Sequence, residues 1–339
     1  MERVIHIVGG GISGLSLGVA LSARGLPVTV WEAGQLPRHR VCGEFICGVH
    51  PDTLENLGVA EDLSDALIHR LAVWKNSSGD SIFEGDLPRP AYGLSRYTLD
   101  MRMVERIRRN GGEVRVGERW RGDPDAEGVV IASGRRAERT SWMGFKLHVS
   151  GPLPRDLTLF LGQGGYVGLS PVEEGYWNLC GLFRKRSGVR AGKDEILQAY
   201  AKACGMTGVL DVLDAAEIRP GSAAGVAGVS FALQSDRVDE LRLGDAWGVI
   251  PPFTGNGMSM AFESAELAIG PTQRWAEGRE DWAATVQAVA EAHRRHLRWR
   301  FRVANLLHPI LMRPAGLRLL AGLGRLRVLP FRPLFALTH

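Results

Sequence analysis

Val4-Ile5-His6-Ile7-Val8-Gly9-Gly10-Gly11-Ile12-Ser13-Gly14 is the stretch that decides how this 339-residue chain is read. An apolar, β-branched run of this length reads as a strand buried on both faces, the kind found in parallel sheets. The glycines after it are spaced G-x-G-x-x-G. Gly9 serves the tight turn, Gly11 leaves room for backbone to approach a pyrophosphate, and Gly14 lets the following helix pack closely on the strand. That helix, predicted over Leu15 to Arg24, aims its positive end and free N–H groups at the phosphates, with Ile12 and Ser13 in the same turn. A second strand, Val28 to Trp31, ends at Glu32-Ala33, where the fingerprint expects an acid to accept hydrogen bonds from a ribose. Strand, glycines, helix, strand and acid fall in order, which separates a dinucleotide site from a generic glycine turn. The fingerprint leaves FAD and NAD(P) both open.

Composition bounds the rest. With 45% hydrophobic and 23% charged residues, the chain can bury a large core and carry two subdomains. Cys42, Cys47, Cys180 and Cys204 are too few and too irregularly spaced for a disulfide framework or a CxxC metal site, so no metal and a reducing cytoplasm are expected. No secretory leader and no uncharged apolar stretch of about 18 residues is visible, so a spanning helix is not expected. The net charge of +4 is unevenly spread. After Glu291 there is no Asp or Glu, while Arg294, Arg295, Arg298, Arg300, Arg302, Arg313, Arg318, Arg325, Arg327 and Arg332 follow.

The period of the pattern changes along the chain. A helix near Pro51 to Leu57 is followed by a predicted hairpin, Arg70 to Lys75 and Ser81 to Glu84, turning at Asn76-Ser77-Ser78-Gly79-Asp80. A helix from about Leu99 to Asn110 and the apolar run Gly128 to Ala132 return to the first pattern. Trp142 to about Asp236 is strand-rich, with one helix predicted from Lys193 to Ala203, and Leu241 to Asp245 resumes the dinucleotide fold. The expected fold class is α/β, α+β overall. A Rossmann-like domain (1–70, 96–140 and 240–272) interleaves with an antiparallel-sheet substrate domain (71–95 and 141–239), and a helical basic region (273–339) follows.

The segment Gly244-Asp245-Ala246 to Pro251-Pro252-Phe253-Thr254-Gly255-Asn256-Gly257-Met258 pairs an acid after a strand with a Gly/Pro loop opening a helix, predicted over Ser259 to Ala268. Here the sequence resembles flavoproteins with the p-hydroxybenzoate hydroxylase fold, particularly their geranylgeranyl-reductase-like branch. Ser95-Arg96-Tyr97-Thr98-Leu99-Asp100 is similar to that family's xRxxLD segment, Val41-Cys42-Gly43-Glu44-Phe45 to the CGE loop of the reductase-like branch, and Gly165 to Phe183 to a substrate-domain PxxxGYxW strand pair. The resemblance covers residues 1 to about 270. It implies bound FAD, with Asp245 on the ribityl chain, Arg96, Cys42 and Gly43 beside the cofactor, and Pro252, Gly255, Asn256, Gly257 and Met258 near the flavin. Ala132-Ser133-Gly134-Arg135 stands where many relatives carry an ADG motif, Trp247-Gly248 replaces a His found after GDA in aromatic hydroxylases, and the halogenase signature WxWxIP is absent.

Single residues carry two readings each. Arg38 and Arg40 reach a phosphate or lie on the surface. Cys42 is a small buried hydrophobe or a thiol acting beside the flavin. His148 is a structural histidine or a catalytic acid or base. Tyr166, Tyr176 and Trp177 are core or substrate-pocket wall. The basic tail either pairs with acids of the remainder, docks peripherally on anionic lipid through Leu317 to Leu320 and Leu323 to Leu329, or walls a tunnel for a long apolar substrate; its arginines lack a groove-reading motif, so nucleic acid is not expected. The expectation is a FAD-dependent oxidoreductase of a small lipophilic substrate, with NAD(P)H as transient reductant because only one fingerprint is present. Hydroxylation of an aromatic or polyketide-like molecule and reduction of an isolated alkene both stay open, as does a flavin- or NAD(P)-binding protein that is not an enzyme.

Overall fold

The computed structural model describes residues 3–136, 138–234, 239–326 and 330–339. In chain order its strands are β1 (Ile5–Val8), β2 (Val28–Glu32), β3 (Phe45–Ile46), β4 (Leu67–Lys75), β5 (Ser81–Gly93), β6 (Glu113–Val116), β7 (Val129–Ile131), β8 (Trp142–Ser150), β9 (Leu157–Gly162), β10 (Gly165–Pro171), β11 (Trp177–Arg184), β12 (Glu217–Ile218), β13 (Ala224–Ala227) and β14 (Leu241–Arg242). The helices are α1 (Ile12–Ser22), α2 (Pro51–Leu57), α3 (Arg96–Arg109), α4 (Ile196–Ala203), α5 (Thr207–Asp214), α6 (Gly257–Ala276), α7 (Trp282–His296), α8 (Arg298–Leu311), α9 (Pro314–Arg325) and α10 (Phe331–Thr338). Arg327, Val328 and Leu329 of the predicted basic tail helix lie outside the described residues.

Five strands form a parallel sheet in the order β14-β7-β1-β2-β6. Its strands are short and apolar because both faces are covered, as parallel sheets require. Helix α1 is buried at every position, packed against α3 and α6. It begins three residues earlier than the periodicity predicts, since Leu15 N–H already bonds to Gly11 O at 2.9 Å and the glycine turn is the helix's own first turn.

The second sheet has nine strands, mostly antiparallel, in the order β12-β8-β11-β10-β9-β4-β5-β3, with β13 also on β8. Strand β5 runs to Gly93, beyond the predicted end of the hairpin at Glu84. Pro88 and Pro90 obscure it in the sequence; they fall where the β4–β5 register shifts between His69 and Leu71, so neither has to donate to the ladder. Alternate residues face opposite sides of this sheet. Phe160, Val167 and Phe183 pack towards α4 and α5, whereas Leu161, Tyr166 and Leu182 face a second cluster containing Leu311 and Met312. The C-terminal helices produce that arrangement by folding back over the sheet, α9 and α10 crossing β5.

Candidate functional site

A cleft of about 1510 Å³ runs from the carboxyl ends of the parallel strands to the face of the second sheet that the C-terminal helices cover. Crevices at the ends of parallel strands are where open α/β sheets bind ligands. Gly9, Gly11, Ile12, Ser13, Glu32 and Ala33 line its first end. Gly9 has φ +120°, and a Cβ there would lie 2.2 Å from the carbonyl oxygen of Ala132. A Cβ on Gly14 would lie 2.1 Å from Gly9 O. Both glycines are therefore demanded by the fold. Gly11 differs: its backbone is extended, and a Cβ there would meet nothing within 4 Å. Its missing side chain leaves room in the cleft, not between elements. Helix α1 has no side-chain cap and no acid in its first turn, so its N-terminal N–H groups face the cleft unneutralised. These residues fit a dinucleotide pyrophosphate.

Glu32 is differently employed from the sequence reading. Its carboxylate accepts from Gly10 N at 3.1 Å and Gly34 N at 2.7 Å, and pairs with Arg38 and Arg40, each at 3.1 Å. Burial pushes the carboxyl up, but the Gly34 N–H and the two guanidiniums outweigh it and hold the pKa below the ordinary value. As it stands, Glu32 ties the glycine loop to the loop after β2, and a ribose would have to share it. Arg40 also reaches Gly10 O at 3.0 Å and Asp100 at 3.3 Å. Arg96 begins α3, lines the cleft, and grips Asp100 through two hydrogen bonds of 2.7 and 2.9 Å. The arginine and acid of the xRxxLD segment are thus one helical turn's ion pair.

Beyond the fingerprint, Asp245 opens onto the cleft from the turn after β14. Among the described residues no donor reaches its carboxylate. Desolvation by the surrounding walls of the cleft raises its pKa against the pull of Arg135 and Arg96. Arg135, from the stretch that replaces the ADG motif, also lines the cleft and donates to Gly228 O and Ala227 O at 3.0 and 3.2 Å. Cys42, Gly43, Pro252, Gly255, Gly257 and Met258 complete the middle of the wall. Burial pushes the Cys42 thiol up, so it stays protonated and is not the thiolate that nucleophilic chemistry would need. Asn256 is fully buried behind this wall, where its amide donates to the carbonyl of Thr338 and fastens the end of the chain.

His148 does not line the cleft. It is 1% exposed, its Nε2 2.5 Å from Glu44 Oε2, while Lys146 Nζ donates to Glu44 Oε1 at 2.7 Å. Burial pushes the Glu44 carboxyl up, but His148 and Lys146 outweigh it and hold the pKa low. Glu44 also accepts from Arg96 N at 3.1 Å and has φ +56°, a strained backbone that its three partners hold in place. His39, which does line the cleft, stands edge-on to His148 with ring centroids 4.9 Å apart. His39, Glu44 and His148 lie close enough to present ligands to one metal ion, but Lys146 Nζ sits on Glu44 and 2.9 Å from His148 Nε2, where a cation's charge would fall. The cluster is an ion-pair network, and the sequence hid it because residues 44 and 146 meet only through tertiary folding.

Tyr166 lines the cleft; Tyr176 and Trp177 do not. Tyr176 precedes β11 and Trp177 begins it, away from the cleft lining, with the Trp177 indole N–H donating to Pro154 O at 2.7 Å and the Tyr176 ring under Arg219. The far end is walled by Leu159, Tyr166 and Leu182 of the sheet and by Leu311, Leu320, Phe331 and Phe335 of the C-terminal helices. A tail that walls an apolar tunnel was one of three readings the sequence left open, and it did not say which residues would face the cleft. At the other end Trp31 and Trp120, ring centroids 5.1 Å apart, add an aromatic wall that the sequence did not flag.

The family model of the NAD(P)-binding Rossmann-like domain matches residues 7–55. No curated protein matches the chain. Among solved structures, the flavin-dependent brominase Bmp2 superposes with a TM-score of 0.76 at 19% identity, covering 99% of this chain and 93% of that one. The p-nitrophenol 4-monooxygenase PnpA from Pseudomonas putida DLL-E4 gives a TM-score of 0.72 at 15% identity, covering 99% of both chains. PqsL from Pseudomonas aeruginosa, described as a probable FAD-dependent monooxygenase, gives 0.67 at 16% identity over 94% of this chain and 99% of that one. The chain therefore has the fold of flavin-dependent monooxygenases and halogenases over its whole length, the last hundred residues included.

Proposed function

We propose that this chain is a FAD-dependent oxidoreductase that hydroxylates a lipophilic aromatic or polyketide-like substrate. One observation carries the reading: the crevice at the glycine fingerprint and the apolar chamber over the second sheet are a single cleft. Sites for one small molecule run to about 300–1,000 Å³, so 1510 Å³ leaves space for a cofactor and a second molecule together. Its fold is shared with flavin-dependent monooxygenases.

Bound FAD supplies the redox chemistry. The chain's own residues do the rest. Gly11 and the α1 N-terminus hold the pyrophosphate, and Asp245, an acceptor aimed into the cleft, takes a hydroxyl of the polyol chain. Cys42 to Gly43 and Pro252 to Met258 border the ring. Leu159, Tyr166, Leu311, Leu320 and Phe331 hold an apolar substrate against it and exclude water. NAD(P)H visits as reductant, because the chain carries one fingerprint. Reduction of an isolated alkene, the reaction of the geranylgeranyl-reductase branch, is the second reading. It draws support from a chamber end lined mainly by leucines and phenylalanines, with no carboxylate among the residues just named. Oxygen uptake stoichiometric with product supports hydroxylation; undiminished turnover without oxygen supports alkene reduction and overturns the first reading.

A further inference from the structure

The outward face of the C-terminal helices is unlike that of a helix that only covers a core. On α8 the exposed positions include Arg298, Trp299, Arg302, Leu306 and Ile310, a stripe at helical spacing; on α9 they include Arg318 and Leu319, with Leu326 just after it. Trp299 is 59% exposed, Leu306 71%, Leu319 58% and Leu326 72%. Half of the large apolar side chains exposed among the described residues lie beyond residue 298. A solvent-facing stripe is ordinarily polar, of mixed sign and free of such a cluster.

Charge gives the second observation. No acid follows Glu291. Arg300 pairs with Glu263 at 2.5 Å, but among the described residues Arg298, Arg302, Arg313 and Arg318 have no carboxylate partner. Pairing with acids of the remainder therefore does not account for the tail's arginines. Ile310 and Leu319 are exposed and also line the cleft, so this surface is continuous with the mouth of the apolar chamber. No helix among the described residues is long and apolar enough to cross a membrane.

We propose that α8 and α9 form a docking surface for an anionic lipid bilayer, the arginines meeting headgroup phosphates while Trp299, Leu306, Leu319 and Leu326 enter the interfacial layer. An anionic bilayer matches both features at once, its headgroup phosphates the acid-free arginines and its interfacial layer the exposed leucines. The docked chamber would open towards the phase in which a lipophilic substrate dissolves.

Flotation of the full-length protein with vesicles tests this without reading turnover, so its failure leaves the flavin assignment untouched. The protein should float with phosphatidylcholine vesicles containing phosphatidylglycerol and stay behind with phosphatidylcholine alone. The doubles Trp299→Glu/Leu306→Glu and Arg298→Glu/Arg302→Glu should each weaken partitioning at least about tenfold while keeping the wild-type melting temperature, since these side chains are exposed and do not line the cleft. No flotation with anionic vesicles, or equal flotation of the Trp299→Glu/Leu306→Glu variant, overturns the proposal. A wild-type dimer that the same variants dissociate, with no vesicle binding, assigns the face to a second copy of the chain and also overturns it.

Discussion

Replacing Gly11 and Gly9 separately splits two roles that a glycine motif usually confounds. At Gly9 the backbone stands at φ +120° with Ala132 O 2.2 Å from where a Cβ would go, and neither neighbour is a flexible side chain. A non-glycine residue at such a φ costs about 1–3 kcal/mol before the clash is counted. At about 2–4 °C per kcal/mol, Gly9→Ala should lower the melting temperature of flavin-free protein by roughly 2–12 °C. At Gly11 the backbone is extended and the Cβ position open, so Gly11→Val should melt within about 2 °C of wild type. Its side chain instead occupies the space in front of the α1 N-terminus. Losing one or two charge-assisted hydrogen bonds there, at about 1.5–3 kcal/mol each, should raise the FAD Kd at least about tenfold. Thermal melts of flavin-free protein and quenching of flavin fluorescence on titration read the two quantities. If Gly11→Val binds FAD as tightly as wild type, the pyrophosphate does not lie where the fingerprint puts it.

Three further outcomes are expected. Glu44→Gln strips the carboxylate from Lys146, whose side chain is fully buried, and should cost about 3–5 kcal/mol in urea unfolding, with the added Lys146→Met change restoring part of it; an unchanged midpoint would refute the network's structural role. Burial pushes His293 and His308 down to about 4. Unfolded imidazoles take a proton near pH 6.5 while these two resist, so their stabilising contribution is complete above pH 6.5 and falls away towards pH 4, up to about 2–3 kcal/mol each by pH 4.5. A denaturation midpoint that stays level over that range in wild type and in His308→Leu would contradict it. Because burial raises the Asp245 pKa, Asp245→Asn should leave flavin-free stability unchanged or higher while weakening FAD roughly tenfold, measured by the same melts and titration; a large loss of stability with normal FAD affinity would make Asp245 a structural cap.

The parallel half of the fold was legible because its signals are local. A buried strand, a turn that only glycine can make and a helix that needs Gly14 to approach all lie within residues 5–22, and each restricts residue type at a fixed spacing. Asp245 and the 252–258 loop stood out through their resemblance to a motif, and the structure puts Asp245, Pro252, Gly255, Gly257 and Met258, but not Asn256, on the cleft wall. Glu44, Lys146 and His148 were not, because β8 brings the last two to the first across some hundred residues of sequence, and a lysine in an amphipathic-looking strand gives no sign that it will be 1% exposed. Tyr176 and Trp177 were misplaced because strand alternation tells which face a residue takes but not where along the strand the cleft ends. The chamber lining depends on how α8 to α10 fold back over β5, and a leucine- and arginine-rich periodicity is compatible with packing, docking or both.

Reconstitution of purified full-length chain with FAD tests the central claim most directly. Flavin-free protein incubated with FAD and passed through a desalting column should emerge yellow, with bound-flavin absorption bands and one FAD per chain. Colourless protein, with all of the FAD left in the small-molecule fraction, would contradict it.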